Sequence, residues 1–333
     1  MCRALLAAGV LCGCARALAV LSRARAPATA LRLTREEATA GAEAWYVEQG
    51  GATCCDVVDT DIGLGLVARR DVGQGEPVCT TPRAIVIDAS KAPAWVVATR
   101  DDPAAPDLSE NGAVVSRLVE LDGDASWAPF VATLPSDEDF ERDLPALWPD
   151  GEADRLFAGT YVGRTRKEIV SGWRDDHAAA VARRRLHDGG AAAPWARWRY
   201  WNAVIMSRSY RVDGTVCFLP YMDFVNHRDS PSVKLVADDV GVSYVAKEPI
   251  PAGAQCFNSY APAADGLDAL VAFQAFGWLP PADDTRSCFV DRPSGTKTRR
   301  PSKGRRPHAI AAKPSKTAPS ASPPLASTEY LRG

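Results

Sequence analysis

Hydrophobic and polar positions change their spacing along the chain, and the change divides it into strands, then helices, then strands again. Two short apolar runs joined by the turn Gly-Gln-Gly predict strands at 63–70 and 76–88. From 93 to 210 apolar residues recur at helical spacing. After 215 the strand pattern returns in four short runs, at 216–225, 232–238, 242–250 and 255–260. This order predicts an α+β protein whose strands come from both sides of a helical segment.

Three further helices are predicted individually. Residues 37–50 end at a Gly-Gly pair, and 265–275 lead into the sequence Ala-Phe-Gly-Trp. The segment 194–210 opens with proline, a residue favoured in the first turn of a helix. Its residues at helical spacing share one face, which we expect to be buried: Trp198, Trp201, Asn202 and Ile205.

The two ends of the chain differ in composition from the middle. Residues 1–35 carry six arginines and no acid, an apolar stretch and an Ala-Arg-Ala site at 24–26, a pattern typical of a secretory signal or an organellar transit peptide. Arg16 interrupts that apolar stretch, so no membrane span is predicted there or elsewhere. From Arg292 the sequence is basic and rich in proline and serine, which predicts a disordered tail over 292–333.

Charge and cysteine content narrow the functional classes. The tail holds ten of the 39 basic residues and one of the 41 acidic ones, so the rest of the chain is acidic. An acidic body disfavours nucleic acid as the main partner and suits a cationic substrate or cofactor. The nine cysteines form no Cys-x-x-Cys pair and there are only four histidines, which disfavours a zinc cluster.

The segment Pro-Tyr-Met-Asp-Phe-Val-Asn-His at 220–227 places polar side chains in an apolar run. Asp223, Asn226 and His227 are costly to bury unless each finds partners. The residues alone leave three interpretations open: a metal pair, a cysteine–histidine nucleophile, or a buried Asn-His pair that only holds a loop. No third histidine or cysteine converges on the segment and no nucleophile signature accompanies it, so the residues alone favour the buried pair.

A glycine motif near the first strands suggests a nucleotide site but lacks the context for one. Gly63, Gly65 and Ala68 match the pattern G-x-G-x-x-[GA] of dinucleotide-binding folds. That motif must open a helix, whereas here Arg-Arg-Asp and a Gly-Gln-Gly turn follow within ten residues. We expect these glycines instead to turn tightly or to let the backbone approach a ligand.

Six segments, taken in order from 44 to 281, resemble the SET-domain methyltransferases, and more narrowly the branch of the Rubisco large-subunit lysine methyltransferase. The segments are GLGLVARRDVGQGEPV, WAPFVATLP, LFAGT, WARWRYWNAVIMSRSY, PYMDFVNHRDSPSV and FNSYAPAADGLDALVAFQAFGWLP. The resemblance implies an α+β fold: a SET-type β-fold of short strands with a knot-like crossing, interrupted by a helical insertion.

The same resemblance suggests how the chain is divided. The divisions are a targeting leader at 1–35, the N-terminal part of the SET domain at 44–92, the helical insertion at 93–210, the C-terminal part at 211–285 and the basic tail at 292–333. Relatives continue with a helical substrate-binding domain where this chain enters its tail. Either substrate docking differs here or the gene model is wrong at that point.

The resemblance implies methyl transfer from S-adenosylmethionine to a lysine side chain of a protein, with no metal. Tyr260 would be catalytic, with its hydroxyl beside the methyl group and the lysine nitrogen. The residues implied to bind the donor are Gly63, Leu64 and Gly65 through their backbone, together with Asp223, Asn226, His227 and Trp278. The residues implied to bind the substrate are Arg208 and Phe276.

One departure from the family pattern bears on the product. The closing Tyr-Gly-Phe of relatives reads Phe-Gly-Trp here, with Phe276 in place of the tyrosine. Losing that hydroxyl removes a hydrogen bond to the amine, which predicts a bias toward di- or trimethylation. Two alternatives stay open: methylation of a histidine ring nitrogen, and a SET-type peptide-binding module without turnover, which the retained Tyr260 disfavours.

Partners and location follow by analogy with the same branch. We expect a monomer that acts on a protein substrate with an exposed lysine. The leader predicts an organelle, and the founding substrate of the branch favours a plastid. The secretory pathway, the cytoplasm and the nucleus are the alternatives if the leader is not functional.

Overall fold

The computed structural model describes residues 34–260 and 269–278, so most of the predicted leader and all of the predicted tail lie outside the described residues. The helices are α1 Arg35–Glu48, α2 Ala94–Ala98, α3 Glu110–Asp122, α4 Ala128–Val131, α5 Asp137–Asp143, α6 Asp150–Phe157, α7 Tyr161–Asp188, α8 Trp195–Arg208 and α9 Ala269–Phe276. The strands are β1 Ala52–Thr53, β2 Cys55–Thr60, β3 Gly63–Ala68, β4 Pro77–Pro82, β5 Ser209–Val212, β6 Thr215–Phe218, β7 Asn226–His227, β8 Val233–Ala237, β9 Gly241–Ala246 and β10 Phe257–Asn258.

Strands from both ends of the described chain pair with one another. An antiparallel sheet has the order β1-β4-β9-β8, and β2–β3 and β5–β6 are antiparallel pairs. β7 and β10 pair in parallel, which brings the segment around Asn226 beside the segment around Asn258. A parallel pair cannot be closed by a tight turn, so it requires a long connection, here the chain that forms β8 and β9. The predicted α+β architecture is confirmed.

Strand β3 lies between two neighbours. β2 pairs along one edge, and the segment 253–256 bonds to the other through Ala68 N–H to the Ala254 carbonyl (2.9 Å) and Cys256 N–H to the Leu66 carbonyl (2.8 Å). The glycine motif therefore lies on a paired strand, and no helix follows it. This geometry rules out the dinucleotide turn.

Helix α8 packs through the face that its sequence predicts. The four residues expected to be buried on α8 have side chains at most 3% exposed: Trp198, Trp201, Asn202 and Ile205. The long helix α7 is capped at its start by the Thr160 hydroxyl, which accepts from Gly163 N–H, and ends at Gly189 in a left-handed conformation (φ 70°). Both termini thus follow ordinary capping rules.

Two hydrophobic cores form in the described residues. The larger core joins the strands to α1, α3 and α8. The smaller core holds Trp148, Phe157 and Val162 of the helical segment together with Phe273 of α9. Helix α9 is thereby attached to the helical segment although it follows the last strand in sequence.

The strands predicted at 76–88 and 242–250 are shorter in the structure, at Pro77–Pro82 and Gly241–Ala246. Three further differences have a clear physical reason. α1 begins two residues earlier than predicted because Thr34 and Glu37 form a reciprocal capping box. β2 was not predicted, since its exposed Asp-Val-Val-Asp sequence lacks a clear alternation. The predicted strand 216–225 ends at Phe218, and a single 3-10 turn follows at Met222–Phe224. Pro220, which has no N–H for a sheet, explains the early end.

Candidate active site

A cavity of about 840 Å³ lies where β3, β7 and the end of β10 face helices α1, α5, α8 and α9. Of the ten site residues predicted from the sequence, nine line it: Gly63, Leu64, Arg208, Asp223, Asn226, His227, Tyr260, Phe276 and Trp278. Gly65 does not. A Cβ there would press against Gln255 and lie 3.0 Å from the Asn226 amide nitrogen, so this glycine serves packing behind the wall.

Asn226 ties two distant parts of the chain together. Its side-chain amide donates to the Leu64 carbonyl on β3 at 3.1 Å, and its backbone pairs with Phe257 on β10. The residue therefore meets the predicted need for a hydrogen-bond partner in an apolar run. It also fixes the spacing between the β3 edge and the rest of the cavity.

The imidazole of His227 is oriented by the backbone of the closing strand. Tyr260 N–H donates to His227 Nδ1 at 3.0 Å, so in the neutral ring the proton must lie on Nε2. That Nε2 is 3.3 Å from Oδ1 of the exposed carboxylate of Asp229. The ring plane of His227 is thus set from both sides.

The hydroxyl of Tyr260 is buried and donates to the Val225 carbonyl at 2.6 Å. A phenolic hydroxyl has one proton and two lone pairs. With its proton committed to Val225, the oxygen can act toward any further group only as an acceptor. The residue is placed for electrostatic contact with a reacting group rather than for proton donation.

Arg208 and Asp223 form a buried ion pair on the cavity wall. Arg208 ends α8, and its guanidinium donates to Asp223 Oδ2 at 2.6 Å. The Asp223 side chain is fully shielded from solvent and that of Arg208 is 20% exposed. A carboxylate in such a place requires its cation, since an unpaired buried charge is very costly.

An unusual backbone conformation at Tyr221 precedes the turn that carries Asp223. Tyr221, two residues before it, has a φ of 72°, a region that costs a non-glycine residue about 1–3 kcal/mol. Tyr221 is held there because its hydroxyl donates to the Cys55 carbonyl (3.1 Å) and its ring stacks on Tyr46 at 4.3 Å. The surrounding core therefore supports the strain that directs the 3-10 turn into the cavity.

Aromatic rings close one side of the cavity. The Phe276 ring lies 4.8 Å from that of Tyr260, and the Trp278 ring lies 6.1 Å from that of His227 at an interplanar angle of 26°. Trp278 is 37% exposed and so stands at the mouth. These rings form an apolar wall beside the polar groups of β7.

Several cavity residues were not singled out from the sequence. They come from α1, from the α4–α5 region and from α8: Arg35, Ala38, Thr39, Thr133, Leu134, Pro135, Asp139, Phe140, Arg142, Asp143, Leu144 and Ser207. Arg142 binds Asp139 at 3.0 Å and Asp143 at 2.7 Å, so one guanidinium is shared between two carboxylates. The Ser136–Asp139 capping box was readable as a helix start, but nothing in it indicated a cavity.

Two properties of residues 34–260 and 269–278 bear on metal binding and membrane insertion. Within those residues no group of three or more His, Cys, Asp or Glu side chains is arranged to hold a metal ion. None of the helices described there has the length and apolar character needed to cross a bilayer.

The comparison with known families agrees with the fold and with the position of the cavity. Residues 63–261 match the model of the SET domain, which is more than half of the chain, and the protein belongs to the SET-domain family. The matched range begins at Gly63 on one cavity wall and ends one residue after Tyr260.

Named relatives and solved structures share parts of this chain's sequence and its fold. It is 26% identical to N-lysine methyltransferase SETD6 of Bos taurus over 219 residues, and 24% identical to that of Homo sapiens over 250. These matches cover 60% and 70% of this chain, and 48% and 51% of the relatives. The fold resembles Rubisco LSMT bound to AdoMet (TM-score 0.59, 16% identity, 73% of this chain and 57% of that one). It also resembles Rubisco LSMT bound to sinefungin and monomethyllysine (TM-score 0.60, 17% identity, 73% and 56%). The chain spans about half the length of the curated relatives it matches.

Proposed function

We propose that the protein transfers a methyl group from S-adenosylmethionine to a lysine side chain of a protein substrate. One observation carries the proposal: a single cavity in a SET fold brings together the Gly63–Leu64 edge, the Asn226–His227 strand and the Tyr260 hydroxyl. The names of the relatives, N-lysine methyltransferases, support the reaction type.

The cavity residues fit this donor. Gly63 lines the cavity at a φ of 104°, and a Cβ there would meet no atom within 4 Å. A methyl donor of this kind carries an adenine ring, a charged amino-acid part and a sulfonium. The wall offers aromatic rings at Trp278 and His227 and a buried Arg208–Asp223 pair. A volume of about 840 Å³ lies in the range that holds an organic ligand of this size.

The residues of this chain would act mainly by positioning and electrostatics. The bound donor supplies an electrophilic methyl group on a sulfonium centre. The lysine must first lose its proton, since only the free amine has a lone pair. Tyr260 cannot take that proton while its own hydrogen bonds to Val225, but its oxygen can accept weak C–H or N–H contacts from the reacting groups. The lysine proton therefore leaves to a group other than Tyr260.

The proposal is tested by transfer of labelled methyl groups from S-adenosylmethionine to proteins of an extract. Wild type is compared with Tyr260→Phe, which keeps the ring and removes only the hydroxyl. We expect Tyr260→Phe to lose activity by about 100-fold, the effect of removing one preorganised polar group from an active site. Amino-acid analysis of the product must show methyl-lysine. Donor binding without Tyr260-dependent transfer, or label on histidine, would overturn the proposal.

We propose further that residues 1–35 direct the protein to an organelle, with a plastid favoured. The support is the arginine-rich, acid-free composition of that segment. Fusion of residues 1–35 to a fluorescent protein tests the proposal in plant or algal cells. Diffuse cytoplasmic fluorescence would contradict it.

A further inference from the structure

Helix α9 connects the helical segment to the cavity. At one end of its buried face, Phe273 packs in the smaller core, and the Gln274 amide donates to the Val162 carbonyl (3.2 Å) and the Thr165 hydroxyl (2.6 Å) at the start of α7. Two and four residues later, Phe276 and Trp278 stand beside the rings of Tyr260 and His227. Any shift of α9 on α7 therefore changes the aromatic wall.

Gly277 is the point where this helix meets the cavity rim. It caps α9 in a left-handed conformation (φ 75°), with its N–H donating to the Phe273 carbonyl at 3.2 Å. A Cβ at this position would lie 2.6 Å from the Asp143 carbonyl oxygen and 3.0 Å from its carbonyl carbon. These atoms are main chain, so they cannot swing aside as a side chain could.

The segment opposite Gly277 is itself well held. Asp143 accepts two hydrogen bonds of 2.7 Å from the Arg142 guanidinium. The next residue, Leu144, is buried and its N–H donates to the Phe140 carbonyl at 2.8 Å. A side chain at 277 would therefore force the end of α9 and the end of α5 apart.

We propose that Gly277 and Gln274 are positioning residues for the reaction. Gln274 fixes α9 on α7, and the absence of a Cβ at 277 lets the helix end approach Asp143 closely enough to set Phe276 against Tyr260 and Trp278 against His227. The inference rests on the proposed function, because it concerns the walls of that same cavity. The helical segment thus determines the geometry of a wall whose residues lie more than 100 positions later in the sequence.

The chain offers a matched control. Gly189 also ends a helix in the left-handed conformation (φ 70°), but a Cβ there would meet nothing within 4 Å. Gly277→Ala and Gly189→Ala therefore impose a similar backbone cost. Only the first also forces a close contact with the main chain, so the difference between them isolates that contact.

The experiment compares wild type, Gly277→Ala and Gly189→Ala in three measurements. These are kcat and KM for methyl transfer, the Kd of S-adenosylmethionine by calorimetry, and the indole N–H resonance of Trp278, assigned from its loss in Trp278→Phe. We expect Gly277→Ala to lower kcat about 10- to 100-fold, as displacements of about 1 Å do, and to shift the Trp278 resonance. Gly189→Ala should lower the unfolding midpoint but leave kcat and the resonance as in wild type.

The outcomes separate this proposal from the proposed function. The positioning proposal would be overturned if Gly277→Ala had the kinetics and the Trp278 resonance of wild type. It would also be overturned if Gly189→Ala showed the same changes as Gly277→Ala. If Gly277→Ala does not fold, Gln274→Met decides, because it keeps the size of the side chain and removes its two hydrogen bonds. An unchanged resonance and kcat in that variant would reject the proposal. Absence of transfer by wild type would reject the proposed function, while the resonance and donor binding would still test positioning.

Discussion

Arg208 and Asp223 show how a single interaction serves the site and the fold together. The ion pair holds the fully shielded Asp223 carboxylate at the cavity wall. The turn that carries Asp223 follows Tyr221, whose backbone has a positive φ. The sequence predicted both residues at one site through the family resemblance. It could not predict that Tyr221 would be strained, since that conformation depends on a stack with Tyr46 and a bond to Cys55 far away in the sequence.

We expect Arg208→Met to destabilise the fold by about 3–5 kcal/mol, because it leaves the shielded Asp223 carboxylate without its cation. Unfolding midpoints in urea measure the change. The double variant Arg208→Met with Asp223→Leu removes both charges and should recover most of the lost stability. A single variant as stable as wild type would contradict the argument.

Phe276 leads to a prediction about the number of methyl groups that the product carries. Its ring lies 4.8 Å from that of Tyr260, and both residues line the cavity. We expect wild type to form di- or trimethyl-lysine and Phe276→Tyr to shift the product toward monomethyl-lysine, because the new hydroxyl can hold the amine. Mass spectrometry of a methylated substrate peptide measures the distribution. Phe276→Leu is the control, since it removes the ring without adding a hydroxyl; strict monomethylation by wild type would refute the prediction.

At the scale of elements, an aspartate of α7 is hydrogen-bonded to the N-cap residue of α3 and so joins the two helices. Ser109, the N-cap of α3, donates its N–H to Asp176 Oδ1 at 3.0 Å and its hydroxyl to Oδ2 at 2.5 Å. Burial raises the pKa of the Asp176 carboxyl, and the hydrogen bonds from Ser109 only partly offset this. The folded state therefore binds a proton here more tightly than the unfolded state does.

The raised pKa gives a pH dependence with a definite sign. Protonation of Asp176 stabilises the folded state. This contribution to the free energy of unfolding is complete below the pKa that the carboxyl has in the unfolded chain, and it is lost as pH rises through the pKa of the folded state. We expect Asp176→Asn, which has no such titration, to show a smaller loss of stability than wild type between acidic and neutral pH. Urea unfolding at a series of pH values measures this. Parallel stability curves for the two proteins would count against the prediction.

Secondary structure was predicted correctly where apolar residues recur at one regular spacing. It was missed where contacts with distant segments determine the conformation. The buried face of α8 was predicted residue by residue, since its apolar spacing is regular. β2 was missed because its Asp-rich sequence becomes a strand only by pairing with β3. The cavity residues of α5 were also missed, because an acidic helix start gives no sign of what will face it.

For the whole molecule, the sequence indicated the order of the segments but not which of them contact one another in the fold. Motifs from three regions identified the family, and nine of ten expected residues line one cavity. Their functional roles stay predictions. What sequence reasoning could not give is the attachment of α9 to α7, because the Gln274 contacts join residues that are 109 and 112 positions apart. The predicted crossing of the β7 and closing segments is consistent with their parallel pairing, but the threading itself stays a prediction.

The central position of β3 has a consequence for how the chain folds. One edge of β3 pairs with β2, only a few residues away, whereas the other needs 253–256, and Asn226 must reach Leu64 across 162 positions. Closing such distant contacts is slow, because chain entropy is lost before the contacts form. During synthesis, the nascent chain can complete the pairing of β3 only after residue 256 has left the ribosome. Until then β3 presents an unpaired apolar edge, and that is the interval in which a chaperone would matter most.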